Sequence, residues 1–138
     1  MRRWLSLTRK EQRLVISAAA HVGTAAIGVR VFGLRRLLKW ADRPITANHA
    51  DANAVRDAKN PDRVTIAVER AGRYVPGGTC LARSLALTRM LRTRGVPAET
   101  RIGVKTADGF RAHAWVEVEA VPVTAEIENW GIENRVIW

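Results

Sequence analysis

The sequence is short of the residues that staple or metallate small domains. It has one cysteine, Cys80, in 138 residues, which excludes an internal disulfide and a cysteine-rich zinc site. No cofactor or metal is expected. Aromatic residues make up 6%, and neither zinc-finger spacing nor an RNA-binding aromatic motif is present, so nucleic acid is not an expected partner. No apolar run reaches the roughly twenty residues of a membrane-spanning helix. The longest, Val15 to Val29, holds His21, Gly23, Thr24 and Gly28 and is closed by Arg30, which points to a packed core helix. A signal peptide is not expected, because this run starts late and continues into Arg35-Arg36-Leu37-Leu38-Lys39 without a small-residue cleavage site. Repeats and low-complexity stretches are lacking. A lone unpaired cysteine suits a reducing compartment, and a cytoplasmic location is the expectation.

What is present is a 47% hydrophobic chain of a length that makes one domain, residues 1-138. Its formal charge of +10 is uneven. Residues 1-43 carry ten Lys/Arg against Glu11 and Asp42, whereas residues 101-138 carry four against six Asp/Glu. A basic region of this kind attracts an acidic peptide, an acidic protein or anionic lipid. Trp4, Trp40 and the flanking arginines leave peripheral membrane contact as one expectation for residues 1-43.

Helical spacing governs the first two thirds of the chain. Leu14, Val15, Ala18, Ala19, Val22, Ala25, Ala26 and Val29, then Leu34, Leu37 and Leu38, predict one or two helices over 9-40. Pro44 closes the region, and Thr46 can cap a short polar helix to about Ala58. Asn60-Pro61 starts another over 61-73, with Val64, Ala67, Val68 and Ala71 on one face. Pro76-Gly77-Gly78 breaks it and delivers the chain to Cys80. Leu81, Leu85, Thr88 and Leu91 predict a further helix, capped by Thr79 and ended by Gly95 and Pro97.

After Pro97 the period changes from helical to alternating. Thr100, Ile102 and Val104 mark one strand, and Asp108-Gly109 a turn. Phe110, Ala112, Ala114, Val116 and Val118 form one face of a second strand, whose other face carries Arg111, His113, Trp115, Glu117 and Glu119. A third strand runs from Val121 to about Ile127, and Glu128 to Trp138 is poorly patterned. The fold class is therefore α+β, with N-terminal helices followed by a small antiparallel sheet.

A free cysteine is most often a buried small apolar residue. Cys80, however, follows a glycine turn and opens a helix, where unpaired N–H groups and the positive end of the helix dipole favour a thiolate and an adjacent oxyanion. His113 follows 33 residues later. With a tight loop at Glu119-Ala120, Val118 pairs with Val121, and counting outward sets His113 opposite Glu126 with Cβ atoms roughly 5 Å apart. A cysteine nucleophile, a histidine base and a carboxylate that orients the imidazole would then be assembled. Glu117 or Glu128 replaces Glu126 if the register differs. Trp115 is either a pocket wall or core, and His21 and His49 are helix-surface or packing residues.

Cys80-Leu81-Ala82-Arg83-Ser84-Leu85-Ala86, then Leu91 and Arg94-Gly95-Val96-Pro97-Ala98, and Phe110-Arg111-Ala112-His113-Ala114-Trp115-Val116-Glu117 together resemble the transglutaminase-like leader peptidase of lasso-peptide biosynthesis, in its stand-alone form. The resemblance covers about residues 76-127, and the basic helical region 1-43 suits the same family. It implies a papain-like α+β cysteine protease core with Cys80 as nucleophile and His113 as base. The activity it implies is removal of the leader from a ribosomally made precursor peptide. The expected partners are a separate leader-binding protein and an asparagine-synthetase-like cyclase. Two departures stand out. Where such proteins carry an aspartate roughly a dozen residues after the histidine, this chain has Ala125, with Glu126 the nearest carboxylate, and Glu119-Ala120 replaces the usual glycine turn.

Overall fold

The computed structural model describes residues 6-43, 61-105, 109, 111-124 and 135-136. The N-terminal region forms two helices, α1 (Arg9–Phe32) and α2 (Leu34–Ala41). Thr8 opens α1 with a capping box: the Glu11 N–H donates to Thr8 Oγ1 at 3.3 Å, and Glu11 Oε2 accepts from the Thr8 N–H at 2.8 Å. That backbone bond first, and the Thr8 hydroxyl second, hold the Glu11 carboxyl below its ordinary value. Gly33, at φ +80°, turns the chain into α2. The short helix expected from Thr46 to Ala58 lies outside the described residues, as does His49. The next helix, α3 (Pro61–Tyr74), ends one residue past its expected limit.

Helix α4 (Cys80–Arg92) is the axis of the fold. Leu85, Ala86, Met90 and Leu91 are fully buried, and Leu87 nearly so. Burial on several faces follows from its position: α1, α2 and α3 pack on one side and the sheet on the other. Helices α1 and α3 present small residues towards the core, Ala18, Val22 and Ala25 from one and Ala67 and Ala71 from the other. Each of the large side chains on α4 adds about 1.5–3 kcal/mol through burial. Thr93 caps the helix, and bonds from the N–H of Gly95 to Arg92 O (3.1 Å) and of Val96 to Leu91 O (3.0 Å) end it at the predicted glycine, which has φ +84°.

The strands form an antiparallel sheet in the order β3-β2-β1-β4. Strand β1 (Ala98–Lys105) pairs with β2 (Arg111–Val118) in an unbroken register from Ala98 opposite Val118 to Lys105 opposite Arg111. Glu119 (φ 51°) and Ala120 (φ 64°) make the tight turn to β3 (Val121–Pro122), and Val118 pairs with Val121 as the sequence predicts. The Val123 N–H donates to Val116 O at 3.0 Å, which carries this register one residue further. The strand expected to reach about Ile127 does not continue through Thr124, which is a bend, and 125-127 lie outside the described residues. Strand β4 (Arg135–Val136), in the stretch with no sequence pattern, pairs with β1 at Gly103 and Val104.

The two faces of the sheet differ. Thr100, Ile102, Ala114 and Val116 pack against α4, and Thr88 on that helix shares a buried 2.7 Å hydrogen bond with Thr100. The opposite face carries Arg101, His113, Trp115 and Glu117. Glu117 accepts from Arg101 Nε at 3.1 Å and from Trp115 Nε1 at 2.9 Å. Trp115 is buried at 7% exposure, yet stands outside the main core cluster.

Candidate active site

Cys80 is the first residue of α4, and its place there depends on the turn before it. Gly77 takes φ +78°, and the Gly78 N–H donates to Val75 O at 3.0 Å. A side chain at Gly78 would collide with the carbonyl oxygen of Gly72 and stand 3.0 Å from that of Val75. Only glycine lets the chain turn this tightly against the end of α3. Thr79 then caps α4, its Oγ1 accepting from the Ala82 N–H at 3.3 Å, and its carbonyl accepts from the Arg83 N–H at 2.9 Å. Among the described residues no acceptor meets the N–H of Cys80 or of Leu81. These are the donors that a helix N-terminus offers to an anion.

Cys80, Arg83, Ser84 and Leu87 share one face of α4 at i, i+3, i+4 and i+7. With Glu69 of α3, Ala114 of β2 and Thr124 they line a cleft. The cleft's water-accessible volume is about 10 Å³, room for a single water. Gly72 lets α4 approach α3 so closely that the Arg83 stem lies where a side chain on Gly72 would stand. The Arg83 guanidinium then reaches Glu69 Oε2 through Nη1 at 2.6 Å. Two polar atoms near the cleft, Arg83 Nε and Thr124 Oγ1, are buried and have no hydrogen-bond partner among the described residues. Unsatisfied buried polar atoms are uncommon in folded proteins. Sequence spacing points to neither Glu69 nor Thr124. Arg83 has a signal, its spacing of three from Cys80, whereas the pairing with Glu69 bridges two helices and leaves no trace in the periodicity.

His113 does not line this cleft. It is opposite Gly103 on the sheet face turned away from α4, with its ring stacked on Trp115 at 6.5 Å between centroids and 19° between planes. Its neighbour Ala114 is the residue of β2 that borders the Cys80 cleft. His113 therefore leaves β2 on the side opposite Ala114 and Val116. The reason is the two-residue period of β2: packing Ala114 and Val116 against α4 sends His113 and Trp115 to the other side. Trp115 is accordingly buried on that far face and not a wall of the cleft. Glu117 has both oxygens engaged by Arg101 and Trp115. Glu126 and Glu128 lie outside the described residues. His21 behaves as a packing residue, its Nδ1 2.8 Å from Ser17 O and its ring 6.4 Å from that of Trp40. Among the described residues no group of three His, Cys, Asp or Glu could hold a metal ion.

A helix-first α+β domain with a thiol at the start of its central helix defines a class of protein, and comparison of sequences gives the family. Residues 23-131 match the transglutaminase-like superfamily, and the chain belongs to it. No curated protein and no solved structure matches the chain.

Proposed function

We propose that the protein is a cysteine peptidase that removes the leader from a ribosomally synthesised lasso-peptide precursor, in the cytoplasm, beside a separate leader-binding protein and an asparagine-synthetase-like cyclase. The observation that carries the reading is Cys80 at the first position of α4, lining a cleft, in a transglutaminase-like chain. The motif resemblance around Cys80 and His113 supports the finer assignment. In the proposed reaction the Cys80 thiolate attacks the scissile carbonyl carbon, and the oxyanion accepts a hydrogen bond from the Cys80 N–H. The carbon–nitrogen bond then breaks, the leaving amine takes a proton from the His113 imidazolium, and water hydrolyses the thioester. Glu126 is the proposed orienting carboxylate. His113 would act from the position of β2 that precedes Ala114, which borders the cleft.

Ala125, where the resemblance implies an aspartate, favours a second reading, a non-catalytic transglutaminase-like module that binds peptide or scaffolds the maturation complex. Mass spectrometry of a candidate precursor incubated with the protein and the leader-binding partner separates the two. Cleavage at one bond by the wild type, lost in Cys80→Ala and in His113→Ala, is the result expected of the peptidase. An uncleaved but bound precursor would transfer support to the scaffold, and cleavage that survives Cys80→Ala would remove the nucleophile.

A further inference from the structure

Helix α1 has two unlike sides. Val15, Ala18, Val22 and Ala25 are buried in the core. On the opposite side Ile16, Ala20, Thr24, Ile27 and Val31, at i, i+4, i+8, i+11 and i+15, form a continuous exposed stripe. Ile16, Ile27 and Val31 are each more than 60% exposed, and Phe32 is 59% exposed at the corner where α1 meets α2. Three large aliphatic side chains aligned on one face, with nothing among the described residues covering them, are unusual on the surface of a monomer. By length and mean hydropathy the helix is apolar enough to cross a membrane, and only 28% of its most apolar window is buried.

The charges around the stripe identify what it meets. Arg9 and Arg13 stand at its N-terminal end, and Arg30, Arg35, Arg36 and Lys39 at the other, all exposed. Long basic side chains at both ends of an apolar stripe suit an anionic lipid surface. The aliphatic row enters the acyl boundary, while the guanidinium and ammonium groups reach back to the headgroups. A spanning orientation is incompatible with the other side of the same helix, because Val15, Ala18, Val22 and Ala25 are committed to α3 and α4. An acidic protein would need carboxylates in register with cations separated by the whole length of α1, a constraint that a uniformly anionic bilayer does not impose.

We propose that the outer face of α1, together with the α1–α2 corner, is a docking surface for anionic membrane. This docking is independent of Cys80, so the proposal stands or falls separately from the peptidase reading. The test is co-sedimentation of the full chain with phosphatidylcholine vesicles that contain or lack about 30% phosphatidylglycerol. The expected result is binding to the anionic vesicles alone, weakened at least about tenfold when NaCl is raised from about 0.1 to 0.5 M. Ile27→Asp with Val31→Asp, and separately Arg35→Glu with Arg36→Glu, should each abolish it. Circular dichroism of both variants checks that these exposed changes leave the helices intact. Absence of binding to anionic vesicles would overturn the proposal. So would equal binding to both vesicle types, or a concentration-dependent dimer in light scattering that disappears in Ile27→Asp, which would make a second copy of the chain the occupant.

Discussion

Replacing Gly78 by alanine should destabilise the protein by an amount that the turn geometry sets. The new methyl group would run into the Gly72 carbonyl and lie 3.0 Å from Val75 O. Both are backbone atoms at the end of α3, where the Val75 N–H bond to Ala71 O (3.1 Å) holds the chain. Neither can swing aside as a flexible side chain would. The turn at 77-79 must therefore move away from α3, at an overpacking cost of about 1–3 kcal/mol. The Gly78 N–H bond to Val75 O would go with it, for about 1 kcal/mol more. Together these make about 2–4 kcal/mol, and at about 3–5 °C per kcal/mol for a domain of this size the midpoint falls by about 6–20 °C. Gly23→Ala is the control. Gly23 sits within α1 with Val75 Cγ1 an ordinary 3.9 Å from the added methyl, so alanine there should be neutral or stabilising by up to about 1 kcal/mol. Thermal unfolding followed by circular dichroism distinguishes them. A midpoint for Gly78→Ala within about 2 °C of wild type, or equal losses for the two variants, would refute the view that backbone contact at Gly78 positions the start of α4.

Two further expectations concern the sheet. Thr88→Val should cost about 1–3 kcal/mol in denaturant unfolding, because it leaves the buried Thr100 hydroxyl without its 2.7 Å partner. The double change with Thr100→Val should recover most of that loss, and additive losses would contradict the assigned bond. In the β2–β3 turn, Glu119 and Ala120 both adopt left-handed backbone angles, which strain an ordinary side chain by about 1–2 kcal/mol each. Substituting Asn-Gly at these positions should raise the midpoint by a few degrees, and a lower midpoint would show that the turn is not of this type.

The helices and the main hairpin were legible because their apolar residues repeat with different periods. Leu81, Leu85, Thr88 and Leu91 gave α4 its inward side, and the alternation around Ala114 gave β2. The Glu119-Ala120 loop length gave the Val118–Val121 pairing despite the absence of glycine. The side of β2 that packs on α4 was also written in that alternation, since Ala112, Ala114 and Val116 are the small apolar set. Glu69, Arg83 and Thr124 reach the cleft from α3, α4 and the end of the hairpin. Their meeting is a tertiary event between residues far apart in sequence, and no local pattern encodes it. The pairing of β4 with β1 was hidden for a different reason, since two residues are too few to show a period.

The central claim is that Cys80 takes up the acyl part of the cleaved peptide. The direct measurement is intact-protein mass spectrometry after a precursor reaction is quenched in acid within the first turnover. The expected result is a transient species heavier by the leader acyl group, that is the leader less one water, mapped by digestion to Cys80 and missing in Cys80→Ala. Cleavage that proceeds without such an adduct, at a rate unchanged in Cys80→Ala, would contradict it.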